Sequence, residues 1–246
     1  IDFHMNDSGV YITPASRGAS HTSTALARLD ENGAASYTFD LEWAPAAPIE
    51  VPETAQILEA GSISAIIEPG ASAVLDALAR GREHALVFFD PNARPSIMGE
   101  PAVALVSLER FIALADVVKV SDEDIEWLTG GAPIEKVVDR WLRMGPSLVV
   151  VTRGKHGSDV ATASGLRFTK TPSDVKVVDT VGAGDSFMGG MIDAMWGMGL
   201  RGADARETLR ALPEEQVRAI IDRASAVSDV TVSRKGANPP WAHELS

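Results

Sequence analysis

The rhythm of hydrophobic and polar positions changes part-way along the chain. Near the start, His21–Asp30 and Ala34–Asp40 are two strand-like runs flanking Glu31-Asn32-Gly33, and Asn-Gly between such runs predicts a β-hairpin. Before them, the opening residues read as the end of a helix stopped by Gly9, followed by a strand over Val10–Thr13. After them, Pro45, Pro48 and Pro52 predict an extended linker. From Gln56 onward, short apolar runs alternate with segments of helical period. Strands are predicted at Ile57–Ser62, Ala85–Phe89, Val117–Val120, Ser147–Thr152 and Val175–Val178. Helices are predicted over Pro69–Arg80, over Ser107–Ala115, from Asp122, from Ile134, over Phe187–Met198, and over Glu207–Val232 with a break at Pro213. On the first of these, Ala71, Val74, Leu75 and Leu78 share one face.

Apolar strands alternating with helices imply an α/β fold with a mostly parallel sheet covered on both faces. Such sheets place ligands at the carboxyl ends of their strands. The expected organisation is a lid region over 1–50 (helix remnant, strand and hairpin) and one continuous α/β core over 51–246. A chain of 246 residues is long enough for that core.

Composition narrows the function classes. A net charge of -12 disfavours nucleic acid and anionic membranes as partners. The absence of cysteine excludes disulfides, thiolate metal sites and cysteine nucleophiles. No apolar run is long enough to span a bilayer and no secretory leader opens the sequence, so a cytoplasmic location is expected. His4, His21, His84, His156 and His243 show no metal-ligand spacing.

The chemistry concentrates in Asp179-Thr-Val-Gly-Ala-Gly-Asp-Ser-Phe-Met-Gly-Gly190. Gly182 and Gly184 permit a turn that brings backbone N–H groups close to a phosphate, at the positive end of the following helix. Asp185 then stands where a hydroxyl attacking that phosphate can give up its proton. Three further segments follow strand ends. Asp90-Pro-Asn-Ala-Arg94 offers an arginine that can fork onto phosphate oxygens, and Thr152-Arg-Gly-Lys-His-Gly157 offers a hydroxyl and two glycines. Lys119-Val-Ser-Asp-Glu-Asp124 offers a cation and then acids, which suit the hydration shell of Mg²⁺. Each has a plainer reading. Asp185 can cap a helix, Ser121 and Asp124 can form a helix N-terminus, and Arg94 and Lys119 can be surface charges.

These residues resemble the ribokinase-like, or PfkB, family of carbohydrate kinases. The Asp179–Phe187 stretch matches the family's C-terminal signature almost residue for residue, and the other segments, with Thr231-Val-Ser-Arg-Lys-Gly-Ala237, follow in the family's order. Within the family the chain looks most like bacterial fructokinases, with 2-keto-3-deoxygluconate kinases and ribokinase nearby. The resemblance implies a three-layer α/β sandwich with a β lid, ATP with Mg²⁺ as phosphoryl donor, and a sugar hydroxyl as acceptor. It implies Asp185 as catalytic base, Gly182, Ala183 and Gly184 as anion hole, and Arg94 facing phosphate or substrate. It implies nucleotide contacts from Thr152, Gly154, Gly157, Lys119, Ser225 and Gly236, and a monovalent cation (K⁺) near Asp179 and Val181. Asp124 would reach Mg²⁺ through water. Ser225 stands where many relatives carry asparagine, and Ser121 with Asp124 where many carry Asn-x-x-Glu. The family's opening βαβ region, with its Gly-Gly sugar signature, has no counterpart in this sequence. A homodimer through the lid is a further expectation.

Rival functions fare less well. A dinucleotide oxidoreductase needs Gly-x-Gly-x-x-Gly, but here the last position is Phe187, and a P-loop enzyme needs a Gly-Lys-Ser/Thr triplet that does not occur. A non-catalytic kinase-fold protein that senses sugar or nucleotide, or serves in assembly, is the alternative from outside catalysis.

Overall fold

The computed structural model describes residues 2–29 and 35–245. A short helix α1 (Asp2–Asp7) ends at Gly9, whose φ of 71° is the left-handed stop expected there. Strands β1 (Thr24–Leu29) and β2 (Ala35–Asp40) pair antiparallel, with Leu29 opposite Ala35. The Asn32-Gly33 turn lies outside the described residues. Among those described, this hairpin is a separate two-stranded sheet.

The remaining strands form a second sheet in the order of the chain. They are β3 (Ile57–Gly61), β4 (Leu86–Asp90), β5 (Val117–Ser121), β6 (Leu148–Thr152), β7 (Ser158–Thr162) and β8 (Arg167–Lys170). The first four are parallel; β7 and β8 add antiparallel edges. One face of the sheet, carrying Val87, Phe89, Val118, Val149 and Val151, packs on α2 (Gly70–Gly81), α4 (Pro101–Ile112), α5 (Asp122–Thr129) and α6 (Ile134–Met144). The opposite face, carrying Leu86, Phe88, Val117, Leu148 and Val150, packs on α7 (Ala183–Gly197), α8 (Ala205–Arg210) and α9 (Glu214–Val232). A four-residue helix, α3 (Pro95–Met98), follows β4. This is the three-layer, mostly parallel sandwich with small additional strands that the apolar rhythm implies. Period-two alternation sends successive residues of each strand to opposite helix layers, which is why these strands read as continuously apolar.

Two predicted strands are not strands. Val10–Thr13 is extended chain leading into a 3₁₀ turn over Pro14–Arg17. Val10 and Tyr11 are exposed, so no sheet face holds them. Val175–Val178 also lacks a strand partner: Val178 N–H donates to the carbonyl of Val232 at the end of α9, and Val177 and Val178 face solvent. β-branched composition alone does not make a strand without a ladder to join. The β7–β8 hairpin was not predicted; its signal is the alternating exposure of Arg167-Phe-Thr-Lys170 after a turn at Gly165. The helix predicted over Ser107–Ala115 starts earlier, at Pro101, and the one predicted from Phe187 starts at Ala183.

Candidate active site

Charged residues in the middle of β3 and β5 and at the end of β4 build a charged floor. Glu59, Asp90 and Lys119 alternate with residues of the α2–α6 layer, so all three point to the α7 side. Asp90 and Lys119 are each 4% exposed, and Lys119 Nζ donates to Asp90 Oδ2 at 2.7 Å. Asp90 Oδ1 is buried without a hydrogen-bond partner. Burial pushes the Asp90 carboxyl up, against the pull of Lys119. Glu59 is open to the cavity yet crowded from the sheet side; desolvation first, then the charges of Asp90 and Asp185, pushes it up to about 7.

Helix α7 starts directly above this floor. Gly182, with φ of 77°, turns the chain into the helix, and a side chain there would press on Ala237. Ala183 N–H turns back to Thr180 O at 3.2 Å. Gly184 rests on Lys119, whose Nζ lies 2.7 Å from where a Cβ would be. Asp185 occupies the first turn and is exposed. It borders a cavity of about 510 Å³ together with Glu59, Asp90, Asn92, Ser62 and Trp43. Ser228 Oγ donates to Ala183 O at 3.1 Å, and Gly190 abuts Ala224, so α9 fixes the position of α7.

The loop before α7 is braced by Asp179. Its carboxylate accepts N–H from Val181 at 3.1 Å and from Gly236 at 2.9 Å, and these backbone donors hold it below the usual carboxylate range. Thr152 ends β6 and donates from Oγ1 to Val120 O at 3.3 Å. Gly154 and Gly157 take φ of 48° and 85° in the following turn, and a Cβ on Gly157 would fall 1.9 Å from Lys170 O. Ser225 is half-buried on α9.

Two residues singled out for phosphate or metal chemistry are engaged within the protein. Arg94 folds Nη1 onto Asn92 Oδ1 at 2.7 Å and onto the carbonyls of Asn92 and Ala93. Asp124 forms a capping box with Ser121 and also accepts from Ala93 N–H at 3.0 Å, joining the ends of β4 and β5. Lys119, expected beside the nucleotide or else as a surface charge, is buried beneath the glycine loop and is no surface charge. Sequence reasoning passed over Glu59 and gave Asp90 no role. The signal was a lone charge in each apolar run, Ile-Leu-Glu and Phe-Phe-Asp. Trp43 lines the cavity and packs its ring on Gly70.

The profile of the pfkB family carbohydrate kinases matches residues 1–244. The chain belongs to this family. It is 34% identical over 192 residues to a fructokinase of Klebsiella pneumoniae, a match covering 74% of this chain and 61% of that protein. The chain spans somewhat more than half the length of the curated relatives it matches. Among solved structures, a fructokinase with bound ATP from Xylella fastidiosa superposes with a TM-score of 0.77 at 26% identity, covering 96% of this chain and 76% of that one. A double-mutant fructokinase from Vibrio cholerae O395, bound to fructose, ADP and potassium, gives 0.72 at 27% identity, covering 96% and 75%. Among the described residues no helix is long and apolar enough to cross a membrane.

Proposed function

We propose that this chain carries the catalytic core of an ATP-dependent sugar kinase that transfers the γ-phosphoryl group to a hydroxyl of a small carbohydrate, fructose before others. The observation that carries the reading is Asp185: an exposed carboxylate in the first turn of α7, bordering a cavity of about 510 Å³ that suits a monosaccharide. The fructose in the Vibrio cholerae structure and the ATP in the Xylella fastidiosa structure support the two substrates.

A sugar hydroxyl approaches the γ-phosphorus, its oxygen bonds there, and the bridging bond to ADP breaks. Asp185 orients the hydroxyl and takes its proton, a contribution worth roughly 10²–10⁴-fold in rate. The loop at Gly182, Ala183 and Gly184 presents the positive end of α7 to the transferring group, with the Lys119 ammonium directly beneath. That donor set fits a triphosphate. Thr152, Gly154, Gly157, Ser225 and Gly236 are our nucleotide contacts, and Arg94 reaches the phosphates by leaving its own loop. Asp124 is the residue we assign to hold Mg²⁺, through water; bound with the triphosphate, the ion would neutralise charge on the phosphate oxygens and would need few protein ligands. Potassium in the Vibrio cholerae structure supports a monovalent cation, and Asp179 and Val181 are the residues we assign to it. The two-stranded hairpin is marginal alone, so we read it as a lid that closes on the sugar and offers its edge to a second copy. A cytoplasmic site of action completes the reading.

The test is sugar-dependent ADP release by the full-length protein across a sugar panel, with Asp185→Asn alongside. The variant is expected to lose about 10²–10⁴-fold in turnover while binding ATP as before. Wild-type turnover in Asp185→Asn removes it as the base. Nucleotide binding without sugar-dependent ADP release identifies a sensor instead.

A further inference from the structure

A second carboxyl opens onto the cavity that Asp185 borders. Glu59 lies in the middle of β3 and points to the α7 side, as Asp90 and Lys119 do on the neighbouring strands. Those two are buried against each other, whereas Glu59 is exposed and lines the cavity of about 510 Å³. Its carboxylate makes no hydrogen bond or ion pair with any described residue. Gly61, the next residue of β3 on the same face, has no room for a side chain, since a Cβ there would fall 2.2 Å from Asp90 O. No side chain of its own strand therefore screens Glu59 from the cavity. Leu58 and Val74 supply apolar wall. Ligand cavities have this make-up: mostly apolar walls and a few placed polar groups that select orientation.

Resting on the kinase reading above, we infer that Glu59 is a sugar-contacting residue: its carboxyl hydrogen-bonds a hydroxyl of the bound sugar other than the one phosphorylated, and so selects among sugars. Two carboxyls in one cavity take different roles when their surroundings hold them in different protonation states. As a base, Asp185 acts as the carboxylate. Glu59 is pushed up to about 7, by desolvation first and then by the charges of Asp90 and Asp185, against the pull of Lys119. When protonated it offers an O–H donor as well as an acceptor. The charged groups that face it are Asp90 from β4, Lys119 from β5 and Asp185 from α7, and Glu50 of the linker lines the same cavity. A sugar that seats there displaces water from Glu59, which costs more for the charged form. Sugar affinity therefore falls as pH rises through the Glu59 transition.

The test uses the full-length protein with fructose, or with the sugar of the panel turned over fastest in its place. Glu59→Leu fills the same space without a polar atom. Its sugar KM below neutral pH is expected to rise about 10–100-fold. The KM for ATP should move by less than about threefold. Glu59→Gln retains a donor and an acceptor and should recover most of that loss. Among monodeoxy analogues, the wild type should bind one at least about tenfold more weakly than the parent sugar, a gap that closes in Glu59→Leu. From about pH 6 to about pH 8.5 the wild-type sugar KM should climb about tenfold relative to that of Glu59→Gln, which cannot ionise. This comparison stands even if Glu59→Leu fails to fold. The inference is overturned by an unchanged sugar KM in Glu59→Leu, by an equal rise in its KM for ATP, by the absence of any monodeoxy gap that closes in it, or by parallel pH profiles in wild type and Glu59→Gln. A wild type that releases no ADP with any sugar sinks the kinase reading instead, so the two failures are distinguishable.

Discussion

The ammonium of Lys119 lies 2.7 Å from the point where a side chain on Gly184 would begin. Glycine at this position is therefore a packing requirement. The glycine loop can settle onto the sheet only because nothing projects from it, and the buried cation then lies directly below the proposed phosphate site. Lys119 cannot yield easily, since Asp90 holds its other side.

Gly184→Ala should push Lys119 and the loop apart. The expected outcome is a turnover reduced by at least about tenfold, with a stability loss of about 1–3 kcal/mol, the usual range for overpacking a tight site. Steady-state kinetics paired with urea denaturation checks it; full turnover at unchanged stability would show that the loop does not need this contact.

Gly157→Ala adds a Cβ at a φ of 85° and 1.9 Å from Lys170 O. Neither the backbone nor the neighbouring carbonyl can accommodate it, because Gly157 closes the turn before β7 and Lys170, the last residue of β8, is paired with Ser158 beside it. A destabilisation of about 2–4 kcal/mol is expected, together with a raised KM for ATP and a fructose KM that moves less. Equal shifts in both KM values would argue against a nucleotide role for this turn.

Glu59 links stability to pH. Its carboxyl is pushed up to about 7 from an ordinary value of 4.5, first by desolvation and then by Asp90 and Asp185. Between these values the folded state holds a proton that the unfolded state has released, so stability falls as pH rises across the window and the loss is complete above about 7. Glu59→Gln keeps the neutral form at every pH. It should melt with the wild type near pH 4.5 and above it at about pH 8.5, by roughly 1–3 °C. Parallel melting curves at both pH values would show that Glu59 ionises freely in the folded protein.

Most of the fold was legible because its strands are buried on both faces. Phe88-Phe89 and Val149-Val-Val151 are apolar without interruption, a pattern that requires helices on either side. The exceptions are informative. Val175–Val178 has strand composition but ends against the last turn of α9, where no ladder exists. Arg167–Lys170 has weak strand composition but gains a ladder from β7. Partner availability decided both, and a local sequence window contains no information about partners.

The candidate site divides the same way. The run from Asp179 to Asp185 is contiguous, so the sequence alone determined that a glycine turn, a helix start and a carboxylate stand together. It also contained a lone charge in or at the end of each of three apolar runs, Glu59, Asp90 and Lys119, although their shared role was not readable there. Only the tertiary structure decided that these three charges share one face beneath that turn, that Lys119 is sealed under Gly184 and not exposed to solvent, and that Arg94 and Asp124 are engaged by neighbouring backbone. The physical reason is register. Which residues of neighbouring strands lie side by side depends on hydrogen-bonded pairing across the sheet, and that pairing joins positions about thirty residues apart along the chain.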